Sequence, residues 1–426
     1  MPAPQSSTHT PSQAHPGGEV TAAPRITGVD TARGLALLGM FSVHVYGAFT
    51  DSGPPTPAWM LAGGRSAATF ALMAGVGLAF TTGGRRPVVG RGAHAAVAVR
   101  ALLIGFVGLL LGYASRAADL DVDVILAFYA LLFLIALPLL RLRPRTLLCL
   151  SLALAAAAPV ALHLLRGVLP EPGFDGDPVL SDVFVHPLGL VSDLLVHGDY
   201  PVLAWTAYLC AGLAVGRMDL TSKTVAKRLL TGGLALAAGA WLTATVLLRW
   251  FGGLRHLWRA EFPHTPWRDA RNEVLWDTPD GSTWWSLLSR APHSTSPFDM
   301  LQTLGSAAAL LGGALLLTRC PPARRALAPV AAAGSMPLTL YCAHVLLLAT
   351  GVLDGSPDLL YGLLVAGALL FAVCWRRYVG RGPLEALVAG GAKRARRAAE
   401  CPGPAAECPL PATAPPASEP RKPQNP

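Results

Sequence analysis

Long, almost uncharged apolar runs recur along this sequence and constrain its fold more than any other feature. A bilayer-spanning helix needs about 17 to 25 mostly apolar residues, because each adds about 1.5 Å to a path of about 30 Å. Ten segments satisfy this requirement: 30–50, 66–84, 97–115, 124–140, 146–165, 200–216, 229–248, 299–318, 327–350 and 359–376. They predict an all-α polytopic membrane bundle with about ten transmembrane helices.

The composition points the same way. Of the 426 residues 52% are hydrophobic and 14% charged, whereas soluble domains carry about 25% charged residues. We therefore expect a single membrane domain over residues 25–390. A polar tail (1–24) precedes it, and a tail that is first basic and then rich in Pro and Ala (391–426) follows it. Both tails have the composition of disordered segments.

The charges between the spans predict the orientation. Alternate connections, with the residues flanking the first and last spans, contain 23 of the 34 Lys and Arg residues, whereas the opposite connections hold 9 basic and 18 acidic residues. Basic residues concentrate in cytoplasmic loops, so both termini are predicted to be cytoplasmic. The net charge of +9 then follows from topology, and we do not expect nucleic-acid binding.

Two connections on the predicted outer side are long. Residues 167–199 are rich in Asp and include an apolar piece that predicts a short re-entrant or interfacial helix. Residues 249–298 contain six of the ten Trp residues. One interpretation of this Trp-rich segment is an interfacial aromatic belt with a helix on the membrane surface. The other is a lid or a stacking platform over an outer substrate site.

The first span contains two ionisable side chains on one face. Arg33 and His44 are eleven residues apart, which places them within about 20° around a helix and about 16 Å apart along it. Arg33 at the cytoplasmic mouth suits the phosphates of a donor, and His44 in the outer half suits a general base. The alternative is that Arg33 anchors the helix at the interface and His44 only packs.

Other candidate residues lie in or beside the outer halves of later spans. His344 in the ninth span follows Tyr341 by three residues, on one helical face. It either shares a cavity with His44 or bridges two helices. Arg65 opens the second span on the outer side. It either snorkels to the interface, or it meets an anionic group or polarises a carbonyl, which in an acyl transfer would stabilise the oxyanion. Three outer-loop histidines are candidate acceptor contacts: His186, His197 and His293. No metal-binding or nucleotide-binding motif occurs, so we expect no metal.

Several segments together resemble a known family. They are GVDTARGLALLGMFSVH (28–44), GRSAATFALMAGVGLAF (64–80), GDYPVLAWTAYLCAGLAVGR (198–217), SMPLTLYCAHVLLLA (335–349) and RGPLEALV (381–388). Over roughly residues 25–390 the chain resembles a bacterial multi-pass membrane family of unknown function. That family is related to heparan-alpha-glucosaminide N-acetyltransferase and lies within the transmembrane acyltransferase superfamily.

The resemblance implies an activity. Acyltransferase-three proteins of the superfamily carry an Arg, ten residues and then a His in their first span, a spacing that falls here on Arg33 and His44. In them the His is essential and acyl-CoA is the cytoplasmic donor. The resemblance thus implies transfer of an acyl group, an acetyl above all, to an outer-facing hydroxyl or amine of a sugar or lipid-linked acceptor.

One departure limits what the resemblance implies. The related lysosomal heparan enzyme uses a His in the loop after its first span, and residues 51–65 contain none. Its mechanism and its glucosamine acceptor are therefore not expected here, and direct transfer with His44 as the base fits better. Two non-enzymatic alternatives stay open: a transporter or export component for a lipid or small metabolite, and a scaffold whose buried polar residues only fix helix packing.

Overall fold

The computed structural model describes residues 25–279, 281 and 283–400, and helices make up its framework. Eleven described helices have twelve or more residues and are labelled α1 to α11. They are Thr27–Tyr46, Arg65–Thr81, Arg91–Ala117, Leu126–Leu139, Pro144–Leu165, Val202–Gly216, Lys223–Trp250, Pro297–Leu317, Pro337–Leu348, Pro357–Tyr378 and Pro383–Glu400. The predicted tail 1–24 and residues 401–426 lie outside the described residues. The boundary predicted at residue 390 falls inside α11.

Six helical segments are long and apolar enough to cross a membrane. They are Pro57–Thr81, Arg91–Ala117, Pro144–Leu165, Lys223–Trp250, Pro297–Leu317 and Pro357–Tyr378. Each coincides with a predicted span, which confirms the all-α multi-pass membrane fold. The predicted count of about ten also needs α1 and the apolar helices α4, α6 and α9, which have only 14, 15 and 12 residues. The full count and the side of the termini stay predictions.

The connections between helices gather at two ends of the bundle. At the end where the acidic connections lie, three hydrogen bonds link different loops: Asn272 to Gly53, Trp59 to Trp276 and Val124 to Asp177. At the other end, contacts join Arg85 to Asp219 and Arg396 to Thr81. We call these the acidic end and the basic end. Loops predicted to share a side of the membrane therefore contact one another.

Small residues let the central helices approach closely. A Cβ on Gly75 of α2 would lie 2.8 Å from the backbone nitrogen of Leu213 in α6. A Cβ on Gly233 of α7 would lie 2.6 Å from the carbonyl oxygen of Gly305 in α8. A Cβ on Gly305 would likewise lie 2.6 Å from the carbonyl oxygen of Gly233. Such spacing excludes any side chain. Because lipid gives helices little hydrophobic reason to associate, close backbone packing is a main source of their attraction.

The Trp-rich segment has a hydrophobic core of its own, which we call the loop core. Its helices Gly253–Glu261 and Trp267–Trp276 bury three residues against a fourth at the end of α7, and three of the six Trp side chains pack around them. The buried residues are Leu248, Leu257, Ala270 and Val274, and the Trp residues are Trp258, Trp267 and Trp285. Trp250, in contrast, is 80% exposed. Some of the Trp residues therefore form an internal core. Neither the aromatic-belt interpretation nor the lid interpretation had included such a core.

The ninth predicted span is broken. A short helix over residues 328–333 ends before Gly334, and α9 begins at Pro337. Glu385 from α11 caps the new helix start, because its carboxylate accepts hydrogen bonds from the backbone nitrogens of Leu338 (2.7 Å) and Thr339 (3.1 Å). The first turn of a helix leaves its N–H groups without partners and favours a negative charge. Glu385 thus fixes the start of the helix that carries Tyr341 and His344.

Candidate active site

His44 and His344 meet between α1 and α9. Nδ1 of His44 lies 2.9 Å from Nε2 of His344, and the two rings stack with centroids 5.2 Å apart and planes at 18°. Phe41, one turn before His44, packs on the His344 ring at 4.5 Å. His344 is 2% exposed, whereas His44 is partly accessible. The sequence left two possibilities for His344: a cavity shared with His44, or a bridge between two helices. The bridge is present, because the contact between the two imidazoles joins α1 to α9. We refer to the two residues as the histidine pair.

Two nitrogen atoms of this pair are not engaged. His344 Nδ1 is buried without a regular hydrogen bond, although the carbonyls of Leu340 and Tyr341 on the preceding turn interact with its ring. His44 Nε2 has no hydrogen-bond partner among the described residues. A neutral imidazole has one donor and one acceptor nitrogen, and the bond made at one nitrogen decides the role of the other. The pair can therefore present one free acceptor.

Tyr341 contacts the pair through its ring. The centroids of Tyr341 and His344 are 5.1 Å apart at 67°. The Tyr341 hydroxyl donates to the carbonyl oxygen of Asp123 (3.3 Å) and accepts from the backbone nitrogen of Ile125 (3.3 Å). It therefore ties α9 to the loop before α4 and makes no hydrogen bond to either imidazole.

A cavity of about 430 Å³, which we call the basic cavity, opens at the basic end. Four arginines line it: Arg25, Arg33, Arg100 and Arg381. Its inner wall includes Met40 and Tyr341, which precede His44 and His344 by about one helical turn each. The histidine pair does not itself line the cavity but lies about one helical turn along α1 and α9 from these two lining residues. Its volume falls within the range of about 300–1,000 Å³ that is usual for ligand sites.

Arg33 occupies the mouth of the basic cavity, on the same helical face of α1 as His44. Its guanidinium donates to the carbonyl oxygen of Met73 (3.1 Å) and lies 3.7 Å from the carboxylate of Asp30, which also contacts Arg25 at 3.7 Å. One carboxylate therefore faces two guanidinium groups. With Arg100 and Arg381 added, four arginines face the two carboxylates of Asp30 and Glu385, so positive charge exceeds negative charge, which suits an anionic ligand.

Arg65 lies elsewhere. It lines a second cavity, of about 760 Å³, with Leu35, Ser42, Tyr46 and Asp358 among other residues; we call this the lateral cavity. Ser42 is two residues from His44, which places the two side chains about 160° apart around α1. Arg65 donates to the carbonyl oxygens of Met60 (3.1 Å) and Gly63 (3.3 Å). The structure therefore does not bring Arg65 to the histidine pair.

His293 lies near His44, a position that the sequence did not predict. Its ring stacks on Trp59 at 5.8 Å and meets Tyr200 edge-on at 5.6 Å, and it interacts electrostatically with His44. Its backbone is left-handed, with φ at 62°, and burial lowers the pKa of its imidazole. A loop residue has no helical register, so nothing in the sequence distinguished it from His186 and His197.

Carboxylates surround the acidic end of this region. Asp177 accepts a hydrogen bond from the backbone nitrogen of Val124 (2.6 Å), and burial raises its pKa although that bond opposes the shift. Asp199 interacts electrostatically with Asp177 and with His293. The site therefore has arginines toward one end and carboxylates toward the other, with histidines between them. Within the described part of the chain, no cluster of His, Cys, Asp or Glu could hold a metal ion.

Residues 25–251 match the family model described as heparan-alpha-glucosaminide N-acetyltransferase, catalytic. The match covers more than half of the chain. The chain belongs to this family. It is thus a multi-pass membrane protein of an acetyltransferase-like family. No curated protein matches it.

The matched region includes Arg33, His44 and Arg65 and ends at residue 251. Tyr341, His344 and the capping residue Glu385 lie beyond it. The histidine pair therefore joins a helix inside the match to a helix outside it, and the candidate site needs both parts of the chain.

Proposed function

We propose that this protein transfers an acetyl group across a bacterial cytoplasmic membrane, from acyl-CoA bound at the basic end to a hydroxyl or amine presented at the acidic end. The acceptor would be a sugar or a lipid-linked sugar. The observation that carries the proposal is the histidine pair, 2.9 Å apart, about one helical turn from residues that line an arginine-rich cavity. Family membership supports the acetyl group as the one transferred.

The basic cavity would hold the donor. Coenzyme A carries phosphates, and guanidinium groups bind phosphate oxygens through strong, often paired hydrogen bonds. Arg33, Arg25 and Arg381 line the cavity together with apolar side chains such as Phe133. In our proposal the phosphates lie on the arginines while the thioester arm extends past Met40 and Tyr341. The acetyl carbon then comes near His44.

His44 would act as the general base. In our proposal neutral His344 carries its proton on Nδ1, so its Nε2 accepts the hydrogen that His44 donates from Nδ1. His44 Nε2 then keeps its lone pair. It removes the proton from the acceptor O–H or N–H as that atom bonds to the acetyl carbon. The carbon–sulfur bond breaks next, and the imidazolium returns the proton to the thiolate, so that free coenzyme A leaves.

His344 is a positioning residue in this scheme. It holds the ring of His44 and selects its tautomer, and it is itself held by the Phe41 and Tyr341 rings. A base must lie within hydrogen-bonding reach of the proton it takes, so a fixed imidazole contributes more than a mobile one. Arg65 has no part in the proposed chemistry, because it lines the lateral cavity.

The experiment uses purified protein in lipid vesicles with acetyl-CoA labelled in its acetyl group. Label is followed into a panel of sugars and amino sugars and into the vesicle lipids. We expect His44→Ala to reduce transfer by about 10²-fold or more, the usual contribution of a general base. His94→Ala is the matched control, because His94 bonds only to the carbonyl of Gly90 at the start of α3.

Three results would contradict the proposal. They are equal transfer by the His44→Ala and wild-type proteins, no binding of acetyl-CoA by the wild-type protein, and movement of a solute across the vesicle with no acetylated product. The last of these would favour the transporter interpretation.

A further inference from the structure

The lateral cavity is a membrane-facing pocket that the proposed acetyl transfer does not use. It lies between α1, α2, α8 and α10 and the short helix Pro57–Ala62. Its wall on α1 runs from Leu35 to Tyr46, a length of about 16 Å. One leaflet of a bilayer has a hydrocarbon thickness of about 15 Å. Leu61, on its rim, is 78% exposed. The cavity therefore extends over a length similar to the depth of one leaflet, beside an exposed apolar side chain.

The inner wall is effectively apolar although hydroxyl groups line it. Ser42 donates to the carbonyl oxygen of Gly39 (2.7 Å), Thr69 to that of Arg65 (2.7 Å) and Ser306 to that of Gln302 (2.8 Å). These three hydroxyls are thus satisfied within their own helices. Such a wall offers few free polar groups and many carbon atoms, which suits an acyl chain.

Two opposite charges stand at the end of the cavity that lies toward the acidic end of the bundle. Arg65 begins α2 and Asp358 begins α10. Arg65 forms no ion pair among the described residues and donates only to two backbone carbonyls. The nearby carboxylate of Asp299 interacts with Arg65 electrostatically but accepts from the backbone nitrogen of Thr295 (3.3 Å). Guanidinium nitrogens of Arg65 therefore stay available to an anion.

Asp358 supplies the complementary charge. One of its oxygens accepts from the Tyr46 hydroxyl (2.8 Å), and within the described part of the chain it makes no ion pair. A cation and an anion at one end of an apolar pocket match a headgroup that carries both charges. A purely anionic headgroup would satisfy Arg65 but would approach a carboxylate.

We propose that the lateral cavity binds an aminophospholipid from the leaflet at the acidic end of the bundle. Its phosphate contacts Arg65, its primary ammonium contacts Asp358, and one acyl chain lies along α1 between Leu35 and Tyr46. The occupant comes from the bilayer, because the cavity opens beside exposed apolar side chains and its wall offers an acyl chain most of its contacts. The binding does not depend on acetyl transfer.

The test uses protein reconstituted with equal parts of phosphatidylethanolamine, phosphatidylglycerol and phosphatidylcholine. Native mass spectrometry then counts the lipid that the released protein retains. We expect phosphatidylethanolamine to be retained in preference to the other two. Arg65→Gln reduces retention of all three by about tenfold, the effect of losing about 1.4 kcal/mol of binding energy. Asp358→Asn retains lipid but loses the preference for phosphatidylethanolamine over phosphatidylglycerol.

Matched variants separate this site from general lipid contact. Arg255→Gln removes an exposed arginine of the loop core, and Asp354→Asn removes an exposed carboxylate four residues before Asp358; both should behave as the wild type. Soluble glycerophosphoethanolamine should not displace the lipid, because it has no acyl chain. The proposal is overturned by wild-type retention in Arg65→Gln or by an unchanged preference in Asp358→Asn. It is equally overturned if the soluble headgroup displaces the lipid. Elution of each variant at the wild-type volume checks that it is folded.

Discussion

The basic cavity and the lateral cavity lie on opposite sides of α1, and the contrast between them shows how one helix separates two kinds of site. Arg33 and His44 share one face, and Leu35, Ser42 and Tyr46 share the other. The basic cavity is lined by four arginines and by residues one helical turn from the histidine pair, whereas the lateral cavity contains one arginine, Arg65, and a mostly apolar wall. Arg33 and Arg65 are the same residue type in adjacent helices. Their proposed roles differ because Arg33 lines the basic cavity and Arg65 lines the lateral cavity.

Replacing His344 should have the largest effect on turnover among the variants that test this comparison. Replacing it with Leu should reduce turnover by about 10²-fold, because losing the partner that fixes a catalytic imidazole and its tautomer costs up to about 10⁴-fold elsewhere. Donor binding should stay within about twofold. His344→Gln, which keeps a hydrogen-bonding side chain, should retain more activity than His344→Leu. Equal turnover in the two variants, measured with labelled acetyl-CoA, would mean that packing rather than tautomer control explains this residue.

The two arginines provide the next test. Arg33→Gln should weaken acetyl-CoA binding by about tenfold, because a hydrogen bond to a charged group is worth about 1.5–3 kcal/mol. Arg65→Gln should leave donor binding unchanged, since Arg65 faces the other cavity. Equilibrium binding of acetyl-CoA to both variants in detergent measures the difference. An equal loss of acetyl-CoA affinity in both variants would contradict the assignment of the donor to the basic cavity.

A smaller effect is expected at Glu385. Replacing it with Ala leaves the first N–H groups of α9 without their acceptor and should reduce stability by about 1.5–3 kcal/mol. Glu385→Gln keeps a neutral acceptor and should lose less. Thermal unfolding in detergent gives the comparison. If both variants melt with the wild type, the cap does not hold α9 in place.

The smallest effect concerns pH. Burial lowers the pKa of His293 in the folded protein, so below the unfolded value of about 6.5 the unfolded chain binds the extra proton more readily. Stability contributed by the neutral ring is therefore full above that value and falls with decreasing pH. The slope is at most about 1.4 kcal/mol per pH unit. His293→Asn, which tolerates the left-handed backbone, should flatten the stability curve as the pH falls below about 6.5. A variant with the wild-type slope would exclude His293 as its source.

The sequence predicted the parts of this molecule that depend on local periodicity. Apolar runs located the helices, and the eleven-residue spacing placed Arg33 and His44 on one face. It could not place Arg65 relative to His44, because the direction of a side chain at the start of a helix depends on how that helix packs on its neighbours. The contact of His44 with His344 joins residues 300 positions apart, and spacing within one helix carries no information about such a pair.

The loop core and the Glu385 cap were also beyond sequence reasoning, for a related reason. Six Trp residues in one segment are compatible with a membrane belt or with an internal core, and only the folded contacts of Trp258 and Trp285 distinguish them. A single Glu in RGPLEALV looks like an ordinary residue near the start of a helix. Its role appears only when α11 is packed against the start of α9.

The loop core has a consequence for how proteins of this kind diversify. Because Leu257, Ala270 and Val274 pack against one another and against Leu248, much of this segment is stabilised by its own contacts, apart from the donor cavity. If acetyl-CoA binds in the basic cavity as we propose, changes on the outward surface of this segment should leave donor binding intact while they alter the surface that an acceptor meets at the acidic end. A mutant library restricted to those surface positions is where selection for new acceptors should succeed most often, and gene duplication followed by drift would explore the same positions first.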